Sequence, residues 1–270
     1  MRRLLLAAMM IGAASGAQAA DMPDFLRGSV GVPVATNWRG FYVGAQGGYG
    51  SSDENFNGGA PPNMIAALIA NNVIQQMGIA QWNLQLGKES QRTSGYGAFA
   101  GYNWQWDEVV AGLEMSYLHG SFGGAASATA GPLVGGPLSD NLFHTVSVNS
   151  TSSIAISDMA TFRARAGYAW GCFLPYMFGG LALGNADISN SVTVNDAGST
   201  TRFGRTTTFI PLTADDAVHN HLIYGYSAGL GFDVNLMGGL FLRGEWEYIR
   251  FTSAVDTSIN TVRAGLGYKF

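Results

Sequence analysis

The sequence predicts an all-β fold: an eight-stranded antiparallel transmembrane β-barrel with long extracellular loops and short periplasmic turns. Three observations predict it. First, the stretch Ser258 to Phe270 (SINTVRAGLGYKF) alternates strictly. Val262, Ala264, Leu266, Tyr268 and Phe270 share one face; Thr261, Arg263, Gly265, Gly267 and Lys269 share the other. That is the period of a strand. One strand alone is not stable in lipid, because its backbone donors and acceptors have no partner there, so it requires a closed sheet. Second, seven upstream stretches can be read as further strands, and their connections are tight and long by turns. Short turns at one end with long loops at the other are the pattern of a transmembrane barrel. Third, residues 1–20 (MRRLLLAAMMIGAASGAQAA) carry the basic Arg2-Arg3 end, the apolar run Leu4 to Ile11 and the Ala17-Gln18-Ala19 site of a secretory signal. No later stretch approaches the ~20 apolar residues of a membrane helix.

Composition agrees. The chain has 270 residues, with 38 Gly and only 12% charged residues; of 14 Lys and Arg, only Lys88 and Lys269 are lysine. A soluble domain normally coats itself with Lys and Glu. The net charge of -4 is mild, and no basic cluster is interleaved with aromatics, which argues against a nucleic-acid role. Cys172 is the single cysteine, so no internal disulfide and no Cys metal cluster can form. The expected organisation is a signal peptide at 1–20, a polar periplasmic linker at 21–37 and a barrel domain at 38–270. No Cys lies at the cleavage site, which disfavours a lipid-anchored form.

Taken in order, strand one is expected from about Arg39 to Gly50, with Phe41, Val43, Ala45 and Tyr49 opposite Tyr42, Gly44, Gln46 and Gly48. Strand two runs from about Thr93 to Trp104, with Tyr102 and Trp104 at its end. Strand three, Val109 to Leu118, sets Leu113, Met115 and Tyr117 against Gly112, Glu114 and Ser116. Strand four, Asp158 to Tyr168, sets Phe162, Ala164 and Ala166 against Thr161, Arg163 and Arg165. Strand five, Leu174 to Gly184, is apolar on both faces, so its inside and outside stay unassigned. Strand six, Leu222 to Val234, sets Tyr224, Tyr226, Leu230 and Phe232 against Gly225, Ser227, Gly229 and Asp233. Strand seven, Leu240 to Arg250, sets Leu242, Trp246 and Tyr248 against Arg243, Glu245 and Glu247, and the terminal stretch is strand eight. The connections after strands one, three and five are each about forty residues, at 51–91, 119–157 and 186–220. In the first of these, Ile65, Ile69, Val73 and Met77 recur every four residues, which suggests a small helix over Asn63–Met77 folded across the barrel mouth.

Alternation alone does not say which face is inside. The exported chain, the aromatics gathered at strand ends and the few charges of both signs on a Gly- and Ser-rich face all favour a polar lumen. Glu114, Arg163, Arg165, Arg243, Glu245, Glu247 and Arg263 then fall at one mid-barrel level. Glu114 is expected beside Arg163 or Arg165, and Glu247 near Arg263, since buried charges must be paired. Three acids against four Arg leave one positive charge, to be met by Gln46, a water, or an acid such as Asp158.

The stretches WRGFYVGAQGGYG (Trp38–Gly50), GYNWQ (Gly101–Gln105), TFRARAGYAW (Thr161–Trp170), LPYMFGGLALG (Leu174–Gly184), EWEY (Glu245–Tyr248) and TVRAGLGYKF (Thr261–Phe270) resemble the small outer-membrane immunogenic protein family of alphaproteobacteria, often labelled "porin family". The resemblance implies an OmpA-like eight-stranded barrel, surface exposure and antigenicity. Some members are described as haemin-binding or weakly pore-forming, but no motif for either is found. Tyr268 and Phe270 resemble the C-terminal signal of bacterial outer-membrane barrels, which implies the barrel assembly machinery as a partner. The bilayer of the outer membrane is the other expected partner, with lipopolysaccharide a further candidate.

Chemistry beyond this is sparse. Glu245 and Glu247 share a face at a spacing that imitates a glycosidase pair, but a general acid needs a raised pKa and Arg neighbours oppose that. His119 and Ser121 could form part of a hydrolase, yet the sequence places no orienting acid. His119, His144, His219 and His221 all fall at outer ends or loops, and His219 and His221 are the weak ligand candidates for a metal or haem iron. Cys172 sits in a turn. No catalytic residue, cofactor or metal is assigned. The expected function is an integral outer-membrane barrel with a structural and surface-interaction role (envelope integrity, surface antigen). The alternative is a narrow channel for small solutes, with haemin or metal binding ranked below both.

Overall fold

The computed structural model describes residues 36–56, 62–82, 84–252 and 255–270. The expected signal at 1–20 and nearly all of the expected linker at 21–37 lie outside the described residues. The strands are β1 (Gly40–Asn55), β2 (Lys88–Trp106), β3 (Val109–Gly135), β4 (Phe143–Tyr168), β5 (Phe173–Ser199), β6 (Thr207–Thr208), β7 (Leu212–Met237), β8 (Leu240–Thr252) and β9 (Asp256–Lys269). Eight of them form a closed antiparallel ring. The first and last strands pair with each other, and β4 pairs β5 to complete the circuit. The ninth, β6, is a two-residue addition on the edge of β5 at Ala197 and Gly198. Among the described residues no helix is long and apolar enough to cross a membrane; the strands form the apolar outer wall.

The turns at 107–108, 169–172 and 238–239 lie at the same end as Gly40 and Phe270, here the terminal end. Asp107, Gly171 and Gly238 hold positive φ in these turns, a conformation Gly adopts without steric cost and Asp tolerates. Outward residues form two aromatic belts. Trp104, Trp106, Tyr168, Trp170, Phe232, Tyr268 and Phe270 ring the terminal end, and Tyr49, Tyr96, Tyr117 and Tyr224 ring the other level. On β1 the belts are eight residues apart, from Phe41 to Tyr49, or about 20–25 Å once strand tilt is allowed for.

Beyond the second belt the strands do not stop, and here the expected loops are corrected. Residues 120–135 and 143–157 are strand, as are 186–199 and 212–221; the connection between β3 and β4 is only 136–142. Polarity reverses along these extensions. On β4, Val146, Val148, Ile154 and Ile156 point inward, while Thr145, Ser147, Asn149 and Ser153 point outward. Bulges mark the changeover at one level, between His119 and Phe122 on β3, between Ile156 and Asp158 on β4, and between Val218 and His221 on β7. A bulge adds one residue and shifts the side-chain phase. Ile154, Ile156, Phe162 and Ala164 are all even-numbered, yet the first two face in and the last two face out. That phase shift hides the continuity of the strand from the sequence.

The β1–β2 connection holds helix α1 (Pro62–Ile69) and two 3-10 turns, Val73–Met77 and Ile79–Gln81. The expected single helix over 63–77 is thus broken after Ile69. Asn72 caps the second piece, its side chain accepting from the Ile74 amide, which is a typical use of Asn at a helix start. Ile65, Ile69, Ile74 and Ile79 pack on the inward Val146, Val148, Val192 and Val194 of the β4 and β5 extensions. The segment therefore fills the mouth formed by these extensions.

Candidate functional site

The lumen is filled in layers. At the terminal end Trp38, Tyr42, Phe99, Leu174, Tyr176, Phe178 and Phe241 make an aromatic plug. Trp38, with only 2% of its surface exposed, precedes β1 and folds back into this end, its ring edge-on to Phe241 at 6.1 Å. Above the charged layer lies a second apolar layer, built from Leu118, Phe122, Ile154, Ile156, Ile223, Ile249, Phe251 and Ile259 among others.

Between them sits the charge layer. The structure brings together all seven residues singled out from the sequence. Arg163 Nε donates to Glu114 Oε1 at 2.9 Å, and its Nη2 donates to both oxygens of Glu245 at 2.8 Å. Glu247 lies 3.4 Å from Arg163 and 2.5 Å from Arg263. Arg243 Nη1 donates to Glu114 Oε2 at 2.8 Å. Arg165 Nη1 reaches the same oxygen at 3.3 Å. Register explains the meeting: Glu114 pairs directly with Arg163 across β3 and β4, and Glu245 with Arg263 across β8 and β9.

Sequence reasoning missed the eighth member. Asp233 accepts from Arg165 Nη2 at 2.6 Å and from Arg243 Nε at 2.9 Å. Four acids (Glu114, Asp233, Glu245, Glu247) thus meet four arginines (Arg163, Arg165, Arg243, Arg263), and the layer is formally neutral. The surplus positive charge expected from the sequence does not exist. Asp158, named as a source for the missing acid, points outward instead. There it holds His119 Nδ1 at 2.8 Å and accepts from Tyr117 and Ser157. The signal for Asp233 was present, since it lies on the polar face of its strand and directly opposite Arg243.

The lumen face of β5, unassigned from sequence, also belongs here. Tyr176 and Phe178 point inward because they cover guanidinium faces. Arg165 lies 3.7 Å from the Tyr176 ring centroid and Arg163 lies 4.1 Å from that of Phe178; Arg243 lies 3.8 Å over Phe99. Such stacking suits the planar, weakly hydrated Arg cation. The Tyr42 and Tyr176 hydroxyls donate to Glu114 and Glu245, each at 2.6 Å. Inward glycines make room for these rings. A Cβ at Gly101 would sit 2.5 Å from the Tyr42 oxygen, and one at Gly229 would sit 2.4 Å from Phe178.

This arrangement binds charge to charge and leaves little for chemistry. Glu245 and Glu247 are both engaged by arginine, which opposes the glycosidase reading. His119 does have an orienting acid, Asp158, but Ser121 falls inside the bulge between His119 and Phe122. His219 and His221 are separated by Asn220 in a left-handed conformation. The exposed His219 ring lies 3.5 Å from Asp187, and among the described residues no group of three His, Cys, Asp or Glu is placed to hold a metal ion. His144 is buried at the far rim, with Nδ1 2.9 Å from Asp196 and Nε2 2.9 Å from Asp140, its ring stacked on Phe209.

The chain is 25% identical over 176 residues to a 25 kDa outer-membrane immunogenic protein of Brucella ovis, a match covering 64% of this chain and 62% of that protein. The chain thus spans about three fifths of the length of that relative. Among solved structures, Neisserial surface protein A shares 13% identity at a TM-score of 0.36, covering 85% of this chain and 97% of that one. The attachment invasion locus protein Ail of Yersinia pestis shares 11% identity at a TM-score of 0.35, covering 86% and 99%. A family model described as the outer membrane protein beta-barrel domain matches residues 4–270. With nearly the whole chain matched, this protein belongs to the outer membrane protein beta-barrel domain family.

Proposed function

We propose that this outer-membrane barrel is a filled anchor with a structural and surface-interaction role, and that it does not conduct solutes. The observation that supports this most is the neutral network of four acids and four arginines, closed above and below by apolar layers. An eight-stranded barrel has an interior just wide enough for side chains to fill. In this reading the termini and tight turns face the periplasm, and the rim with α1, residues 136–142 and residues 200–211 faces the exterior. The polar outward faces beyond the second aromatic belt support that rim standing in water. Tyr268 and Phe270 serve as the signal for the barrel assembly machinery. Lipopolysaccharide is the neighbouring lipid, and the exposed rim is the antigenic surface.

Native Cys172 offers the test, because it is exposed in the turn between β4 and β5. A membrane-impermeant maleimide should leave Cys172 unlabelled on intact cells and label it after the outer membrane is permeabilised. Phe203→Cys in a Cys172→Ser background should be labelled on intact cells. The opposite pattern would reverse the orientation.

A further inference from the structure

The outer wall changes character just past the second aromatic belt, on the face made by β2, β1, β9 and β8. On β1, Ser52 and Glu54 are buried inward, so Asp53 and Asn55 face out, beyond Tyr49. The same parity turns Lys88 and Ser90 outward on β2, and Arg250 outward on β8. Register sets these side chains in rows across the strands. One row reads Ser90, Asp53, Ser258, Arg250, and the next reads Lys88, Asn55, Asp256. They line a cavity of about 420 Å³ on the outside of the barrel, with Tyr248 at its membrane side.

The charges in this cavity do not neutralise one another. The two carboxylates, Asp53 and Asp256, lie on the central strands, and the two cations, Lys88 and Arg250, lie on the flanking ones. Among the described residues Asp53 and Lys88 form no ion pair, and Arg250 reaches Asp256 only at 3.6 Å, with both nearly half exposed. Glu54 and Glu89 border the cavity, but they pair with each other's strand on the inward face. The outward set therefore has two charges of each sign. A bare anion meets two carboxylates there, and a bare cation meets two cationic groups. A ligand with one charge of each sign finds a partner for both. Unlike charges stand on diagonal positions of neighbouring strands, about 7–8 Å apart. A phosphate held by the long Lys88 or Arg250 arm then puts an ammonium, one two-carbon link away, over Asp53 or Asp256. Tyrosine belts mark the headgroup level of the bilayer, so the ligand that meets this face is a lipid.

We propose that this cavity binds a lipid headgroup carrying a phosphate and a primary ammonium, as in ethanolamine phosphate. Lys88 and Arg250 take the phosphate, with Ser90 and Ser258 donating to its oxygens, and Asp53 and Asp256 accept from the ammonium in charge-assisted hydrogen bonds. Two lipids carry that group: phosphatidylethanolamine, and lipid A to which ethanolamine phosphate is attached. Both faces of a bilayer present headgroups, so this inference stands apart from the proposed orientation and from the filled lumen.

Full-length barrel in detergent is titrated with phosphatidylethanolamine, phosphatidylcholine or phosphatidylglycerol, and bound lipid is counted by native mass spectrometry. Phosphatidylglycerol lacks the ammonium, and phosphatidylcholine carries it without N–H donors. Phosphatidylethanolamine should fill one site roughly fivefold more tightly than either, the scale of one well-placed exposed charge pair. Asp53→Asn with Asp256→Asn should abolish that preference, and Lys88→Gln with Arg250→Gln should weaken phosphatidylglycerol as well. These side chains face out, so the variants should keep the heat-modifiable migration of a folded barrel. A second titration compares lipid A with and without ethanolamine phosphate. Preference for the substituted lipid A alone would name the glycolipid as the source. Equal retention of phosphatidylethanolamine and phosphatidylglycerol, together with equal retention of the two forms of lipid A, would overturn the proposal. A preference that survives loss of both carboxylates would overturn it too.

Discussion

Replacing Arg243 by Met removes a cation with three acidic neighbours while keeping much of the side-chain volume over Phe99. Arg243 donates to Asp233 at 2.9 and 3.2 Å and to Glu114 at 2.8 Å, and lies 3.6 Å from Glu245. Without it, four acids face three arginines, all within a layer that is almost wholly buried. Arg165 and Arg163 still reach Asp233 and Glu114, so the stranded charge is shared. Breaking a buried pair from one side costs about 3–5 kcal/mol, and Arg243→Met should fall in that range. Arg263 pairs with Glu247, which keeps Arg163 at 3.4 Å. Arg263→Met should therefore cost less, about 2–3 kcal/mol on the scale of one or two charged hydrogen bonds. Urea unfolding of barrels refolded into phospholipid vesicles, followed by tryptophan fluorescence, reads both. Arg202→Ala, in the connection after β5, is the control and should unfold with wild type. If Glu247 and Arg263 are partners, Glu247→Ala with Arg263→Ala should lose less than the sum of the two single changes. Arg243→Met unfolding together with Arg202→Ala would refute the view that the layer holds the barrel together.

Two further outcomes are expected. Phe270 donates its amide to Phe41 at the β1–β9 seam and packs on Tyr268, so Phe270→Asp should sharply reduce the folded, heat-modifiable species in the membrane; normal amounts would count against a role for that residue in assembly. Burial pushes the His144 pKa down, but hydrogen bonds to Asp196 and Asp140 outweigh it and raise the value above 6.5. A group raised on folding stabilises below its unfolded pKa and loses that contribution as pH rises through the folded value. Hydrogen exchange across residues 138–143, corrected for intrinsic rate, should therefore speed up as pH rises from about 6 to about 9, and His144→Gln should abolish the change. An unchanged rate in wild type would contradict a stabilising contribution from protonated His144 between Asp140 and Asp196.

The membrane-facing half of the barrel is legible because one rule governs it, with apolar side chains outward and polar ones inward. Val262 to Phe270 shows that rule without interruption, and seven members of the charge layer follow from the parity of their strands. Asp233 escaped because parity says which face a residue takes, whereas its partner Arg243 follows only from the register of the β7–β8 hairpin. Strand five resisted because Tyr176 and Phe178 are apolar residues in a polar lumen, placed there to cover arginines that come from β4. The rim was invisible for a third reason. At Ser157 a bulge turns the even-numbered positions of β4 from inward (Ile154, Ile156) to outward (Phe162, Ala164), so one continuous strand reads as a Ser- and Thr-rich loop followed by a strand.

The filled lumen is tested most directly by current through single wild-type barrels in a planar bilayer. With aromatic, charged and aliphatic layers all in place, the current should stay at baseline with no steady open level. A stable, reproducible open conductance from the purified wild-type protein would contradict a filled anchor and make the barrel a pore.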